Sequence, residues 1–351
     1  MFEVKPIMRV AMYYSNKDIR LEDMPIPQVG PGELLMRVVA SGICGSDVME
    51  WYRIHKVPLV LGHEVAGVVV EAGEGVRGYK AGDRIIAAHH VPCNTCHYCL
   101  SGHHTVCDTL RKTNFSPGGF AEYIRLPAIN VDRGTFKLPD EVSFEEATLV
   151  EPVACVLRGL RKAGLKPGCT LVVIGSGIAG LLYVHLARAL GAGRVIATDV
   201  VKHRLEAARK LGADAAFHAE EDVSVYLREV NGGRLADVVI VCTGAEPAIA
   251  QALKLVERHG IVLFFAPTAP GMTFPLSIND VFWRNDITLT TSYAGSPADH
   301  AVALELIRAG SLRVKEMITH RLSLAETGLG FRMVTHPQEY NSIKVIIEPQ
   351  R

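Results

Sequence analysis

The chain has 351 residues, enough for two domains with separate cores, and carries 37 basic and 37 acidic side chains. That balance, without a basic stripe, argues against nucleic acid or an anionic membrane as a main partner. The opening segment, MFEVKPIMRVAMYYSNKDIR, mixes charges and lacks the apolar core of a signal peptide. A soluble cytoplasmic protein is therefore expected, in which thiols stay reduced and clustered cysteines mean metal more often than disulfide.

Residues up to about 150 read as β-rich. Short alternating runs (ELLMRVVASGI, EVAGVVVEAG, DRIIAAHH, GFAEYIRLP) are separated by Gly, Pro and Asp turns. In SFEEATLVEPVACVLRGLRKAG the apolar positions change to helical spacing. From Thr170 onward strands alternate with helices: TLVVIG then 179–190, RVIATD then 202–211, ADVVIVC then 247–256, and finally GIVLFFAP. This rhythm predicts an α/β fold with a doubly wound parallel sheet covered on both faces. ITLTTSYAG reads as the strand that closes this sheet near residue 294, and the tail from Ser296 as mostly helical with a last strand at SIKVIIEP. The most apolar stretch, TLVVIGSGIAGLLYVHLARALG, is interrupted by glycines and His185, so it reads as a buried strand and helix rather than a membrane span.

Gly175-x-Gly177-x-x-Gly180 falls directly after an apolar strand and directly before a helix. There Gly175 permits a tight turn, Gly177 lets backbone approach a pyrophosphate, and Gly180 lets the helix pack on its strand. The amides of the first helical residues, Ile178 and Ala179, face the anion. Asp199 ends the next strand, where an acid bonds the ribose 2′-hydroxyls and repels a 2′-phosphate, favouring NAD over NADP. Arg204 nearby blurs that preference, since it can accept the phosphate or pack on adenine.

Cys93-x2-Cys96-x2-Cys99-x7-Cys107 can supply four thiolates, the closed shell of a structural zinc that leaves no position for substrate. The neighbouring His89, His90, His97, His103 and His104 read as solvated loop residues. Cys155, Cys169 and Cys242 read as buried small residues. An open metal site needs fewer ligands from scattered positions, and ASGICGSD (Cys44, Ser46), LVLGHEVAG (His63, Glu64) and LVEPVAC (Glu151) offer them.

Taken together, GxCGSD, GHExxGxVxxxG, the four-cysteine loop, GGFAEY, EPVAC, the glycine motif and DxxxxR resemble the zinc-dependent medium-chain dehydrogenase/reductase family, in its sorbitol and threonine dehydrogenase branch. The resemblance runs through essentially the whole chain. It implies a GroES-like catalytic domain over 1–152 and 295–351, with a structural-zinc loop at 92–108. It also implies a Rossmann domain over 153–294, with the active site in the cleft between the two. By position, Cys44 and His63 would bind the catalytic zinc, with Glu64 and Glu151 as alternating further ligands, and Ser46 would pass on the substrate proton. Many relatives have a histidine where this chain has Met49, so the proton would leave through water or a group such as His55. Phe265, Ala266, Pro267, Ser292 and Tyr293 fall where the branch lines the nicotinamide, and Lys344 where relatives hold a cation against the pyrophosphate. Trp51, Tyr52 and Phe115 are candidates for the substrate pocket.

The implied activity is NAD-dependent oxidation of a secondary alcohol (a polyol, cyclitol or amino-alcohol) with two zinc ions per chain, in a homodimer or homotetramer. The rival readings are a zinc-free quinone or enone reductase of the same fold and a non-catalytic NAD-binding protein. The first has no use for Cys44, His63 and Glu151 together, and the second would be expected to have lost one of them.

Overall fold

The computed structural model describes residues 7–351, and of Asp280 the backbone alone. Its described residues divide into two units, one comprising the chain up to Ala154 together with Gly295–Arg351, the other Cys155–Ala294. The boundary falls inside the helix Val150–Lys162.

The first unit is built on β-sheet. Leu34–Gly42 is buried along nearly its whole length, as a strand with neighbours on both sides must be, and its β-branched and apolar side chains suit that position. It pairs antiparallel with Glu64–Ala72, Tyr123–Leu126 and Lys344–Glu348. Arg84–Ala87 and Thr135–Lys137 extend the sheet on one side, and Ile318–Ser323 closes it on the other. A smaller antiparallel sheet comprises Asp18–Pro25, Ile7–Ser15 and Leu59–Val60. Between them lies a core of buried Val, Ile and Leu in which Phe331 lies against Tyr13 and Phe120, with ring centroids 5.8 and 6.1 Å apart. Each such side chain contributes about 1.5–3 kcal/mol by leaving water. In the tail, helix Pro297–Arg308 starts on a capping box in which Ser296 and Asp299 satisfy each other's backbone amides.

The second unit is a six-stranded, wholly parallel sheet. Its order is Ala215–His218, Arg194–Asp199, Thr170–Ile174, Ala236–Val241, Val256–Phe264, Thr288–Thr291. In sequence numbering this is 3-2-1-4-5-6, the dinucleotide-binding order, with its switch point between Thr170–Ile174 and Ala236–Val241. Thr170–Ile174 is buried at every residue because helices cover both faces. The helices are Ile178–Ala189, Lys202–Lys210, Val223–Val230 and Glu246–Leu255. The strand Ala215–His218 and the helix after it are additions to the sequence reading. So is Ile318–Ser323 in the tail, where Ile318, His320 and Leu322 take the inward positions and the histidine among them interrupts the apolar alternation.

Candidate active site and metal centres

Cys44 lies on the turn that follows Leu34–Gly42. The Cys44 amide donates to Asp47 Oδ2 at 3.0 Å, and the Asp47 amide donates to the Cys44 carbonyl at 3.0 Å, so the turn locks itself. Asp47 is fully buried and its Oδ1 lies 3.3 Å from His63 Nδ1 and 3.6 Å from the Arg53 guanidinium. The carboxylate thereby fixes the ring and leaves Nε2 as the nitrogen for a metal. Burial pulls the His63 pKa down, but Asp47 and Cys44 outweigh it and hold it well above the ordinary value. Ser46 Oγ lies 3.5 Å from Cys44 Sγ and accepts from Arg53 at 3.2 Å.

Glu64 begins the strand opposite Gly42, and the last strand brings Ile346 to the other side of that glycine. Lys344, two residues earlier, reaches across to Glu64 Oε2 and donates also to the Ile43 carbonyl at 3.1 Å. The two charged side chains are 0 % and 1 % exposed. Gly42 makes room for them, since a Cβ there would run into Glu64 Oε2 and the end of Lys344. The expectation that Lys344 faces a pyrophosphate is thus corrected: its ammonium is enclosed in the first unit, held by a carboxylate and a carbonyl.

Single ligand atoms of Cys44, His63 and Glu64 lie within 4.8 Å of one another, and so do those of His63, His89 and Glu151. A thiolate, an imidazole and carboxylates in that space are a donor set that suits zinc. The structure thus brings together the four expected open-site residues in two overlapping triads that share His63. His89 belongs to this cluster and not to a solvated loop. Val65 pairs with Ala87, so the chain running on from Arg84–Ala87 carries His89 to the level of His63, and the two rings sit 4.6 Å apart. His89 Nδ1 is buried without a hydrogen-bond partner, and burial, then the charges on His63 and His90, hold its pKa well below normal. The His90 ring lies tilted against His89, ring centroids 3.9 Å apart, and its Nδ1 is bound to the Thr113 carbonyl at 2.7 Å. His97 and His103 are exposed and His104 half-buried.

Of the pocket candidates, Phe115 is buried against His89, whereas Trp51 and Tyr52 face solvent. Met49 is half-buried and His55 exposed. Arg53 is the side chain that reaches Ser46, a contact that sequence reading missed because nothing in the local pattern marks it.

In the cysteine loop, Sγ–Sγ distances are 3.6 Å for Cys93–Cys107 and Cys96–Cys99 and 3.9 Å for Cys93–Cys99. A tetrahedron with Zn–S bonds of about 2.3 Å has sulfur–sulfur edges of about 3.8 Å. A disulfide needs about 2.05 Å, so these free thiols are spaced for a metal. Hydrogen bonds from Thr95 and from the Cys96 amide bring the Cys93 thiol down to about 5, while burial pushes Cys99 up to about 12. Cys155, Cys169 and Cys242 are only partly buried, a correction to the expectation for them.

In the second unit, Gly175 takes φ +90° where Ile174 ends its strand, and a Cβ on Gly180 would collide with the Gly175 carbonyl. Gly177 is the N-cap of the twelve-residue helix Ile178–Ala189, whose first amides face outward from the turn. Asp199 accepts from the Ser176 amide at 2.6 Å and the Val201 amide at 2.8 Å, so it braces the turn. The Arg204 guanidinium lies 3.9 Å from it and lines the space beside Gly177. Phe265 meets Tyr183 edge-on at 5.1 Å, with half-buried Ala266 and exposed Pro267 following it. Ser292 Oγ is buried without a partner and Tyr293 is half exposed.

A parallel dinucleotide-binding sheet with its glycine turn, together with a β unit carrying a Cys–His–Glu cluster and a four-thiol loop, defines a nicotinamide-dependent zinc dehydrogenase. Residues 30–140 match the alcohol dehydrogenase GroES-like domain, and residues 179–309 the zinc-binding dehydrogenase family. D-xylulose reductase A of Aspergillus niger is 32% identical over 330 residues, covering 90% of each chain. Among solved structures, a zinc-binding dehydrogenase from Sinorhizobium meliloti bound to NADP is 30% identical, with a TM-score of 0.87 over 98% of this chain and 100% of the other. The 2R,3R-butanediol dehydrogenase of Bacillus subtilis is 28% identical, with a TM-score of 0.84 over 97% and 99%. The chain belongs to the zinc-dependent medium-chain dehydrogenases, in their polyol dehydrogenase-like branch, and is an oxidoreductase acting on alcohols.

Proposed function

We propose that the protein interconverts a secondary alcohol of a polyol and the corresponding ketone, using NAD. The observation that carries this reading is the Cys44–His63–Glu64–Glu151 cluster in a chain similar to D-xylulose reductases. Cys44, His63 and one of the two glutamates would hold the catalytic zinc, and the four-cysteine loop a structural one. When bound, the zinc supplies Lewis-acid polarisation of an alcohol oxygen and the nicotinamide accepts a hydride.

The chain's own groups do the positioning. Asp47 holds the His63 ring, and Arg53 occupies a lone pair of Ser46 Oγ, so the Ser46 hydroxyl proton is directed away from the guanidinium. Ser46 can then take the alcohol proton on its oxygen while releasing its own. Arg53 cannot accept that proton, because a guanidinium stays protonated at any working pH. Met49 carries no titratable group and His55 is exposed, so the proton goes to water.

For the cofactor, the amides of Ile178 and Ala179 would hold the pyrophosphate, and Asp199 would favour the unphosphorylated ribose, with Arg204 beside it tempering that choice. The exposed apolar side chains Ile278, Trp283 and Tyr293, which flank the edge strand Thr288–Thr291 in sequence, support assembly as a homo-oligomer. The eight cysteines form no disulfide, which suits a reducing compartment such as the cytoplasm. No helix among the described residues is long and apolar enough to cross a membrane.

The test is a panel of pentitols, hexitols, inositols, threonine and butane-2,3-diol with NAD and with NADP, followed by absorbance of the reduced nicotinamide. Reduction of NAD by one or more polyols is expected, together with about two zinc ions per chain. Turnover of enones alone, undiminished by chelation, would overturn the proposal.

A further inference from the structure

We infer that His89 is a zinc ligand, and that the catalytic ion has two stations which share His63: an inner one with Cys44 and Glu64, and an outer one with His89 and Glu151. This rests on the zinc reading above and deepens it. The geometry that points to it is the second triad, whose ligand atoms also lie within 4.8 Å of one another. Two imidazoles and a carboxylate form a complete catalytic zinc set in their own right, leaving a position for substrate.

Two further observations favour occupation of the outer station. Glu64 is already committed, with Lys344 bound to Oε2 in a fully enclosed ion pair, so the inner station has a carboxylate whose charge is largely cancelled. His89 is in the opposite condition. Its Nδ1 is buried without any hydrogen-bond partner, which is unfavourable unless something binds the ring. Ring contacts with His63 on one side and His90 on the other hold the imidazole in place, and Phe115 closes its edge. The two stations would differ in their donors, Cys44 and Glu64 at the inner one and His89 and Glu151 at the outer one, with His63 common to both. The outer set would offer nitrogen and oxygen in place of a thiolate, the harder donors that suit oxygen-rich substrates.

The test counts zinc in the full chain after dialysis against a weak chelator, with circular dichroism to verify folding. Wild type is expected to hold about two ions per chain. Cys44→Ala should still hold about two, because the outer station needs no thiolate, and His89→Ala alone should also hold about two. The double variant Cys44→Ala/His89→Ala should fall to about one, the ion of the four-cysteine loop. A fall to one in Cys44→Ala, or retention of two in the double variant, overturns the inference. If any alanine variant fails to fold, Cys44→Ser and His89→Gln make the same comparison with less loss of volume. A wild-type count of one would instead sink the catalytic-zinc reading itself, so the two failures are distinguishable.

Discussion

Replacing Lys344 by methionine keeps an unbranched side chain one atom shorter and removes its charge. Both members of the Glu64–Lys344 pair are at most 1 % exposed, so water cannot take the place of the ammonium. Removing one partner of such a pair leaves an uncompensated buried charge and costs about 3–5 kcal/mol. The Ile43 carbonyl loses its donor as well, a contribution contained within that range. For a unit of this size each kcal/mol lowers the melting temperature by about 2–4 °C, so Lys344→Met should melt about 6–20 °C below wild type. Adding Glu64→Gln removes the stranded charge, and the double variant should be more stable than the sum of the two single changes predicts, by about 0.5–3 kcal/mol. Thermal unfolding followed by circular dichroism at neutral pH measures all four members of the cycle. A single-variant shift under about 2 °C, or strict additivity in the cycle, would refute the argument that the two groups are held as buried ions.

Asp47→Asn keeps an acceptor for the Cys44 amide but removes the charge that orients His63. Zinc affinity at the catalytic cluster should fall about 10–100-fold with the fold intact, as measured by competition with a chromogenic chelator; unchanged affinity would mean that Asp47 serves only the turn. Zinc binding to the metal-free cysteine loop at pH 7 should release fewer than four protons. Cys93, at about 5, is already a thiolate there, whereas Cys99, at about 12, must give up its proton. Affinity should therefore rise with pH through the neutral range because of Cys99, while competition from Cys93 sets in only as pH falls through about 5. A dye-monitored release of four protons at pH 7 would contradict the assignment for Cys93.

The glycine turn and the cysteine loop were legible in the chain for a common reason. Each is a local arrangement, in which backbone conformation and ligand reach are set by residues a few positions apart. Gly175 must adopt a positive φ because the strand has to turn there, and Cys93, Cys96, Cys99 and Cys107 are close enough in sequence to meet in any compact loop. Cys44, His63, Glu64 and Glu151 were legible only as members of motifs, since nothing local to any of them implies the others. His89 and Lys344 were misread. His89 gains its position from antiparallel pairing between Glu64–Ala72 and Arg84–Ala87, where a slip of one residue would turn it to the other face. Lys344 meets a carboxylate 280 positions earlier, across a glycine in a third strand. Sequence alone determined which backbone turns and which ligand types this protein has. Tertiary structure decided which of those ligands share a site, because strand register, unlike turn geometry, is settled by the burial of whole sheets rather than by any neighbouring residue.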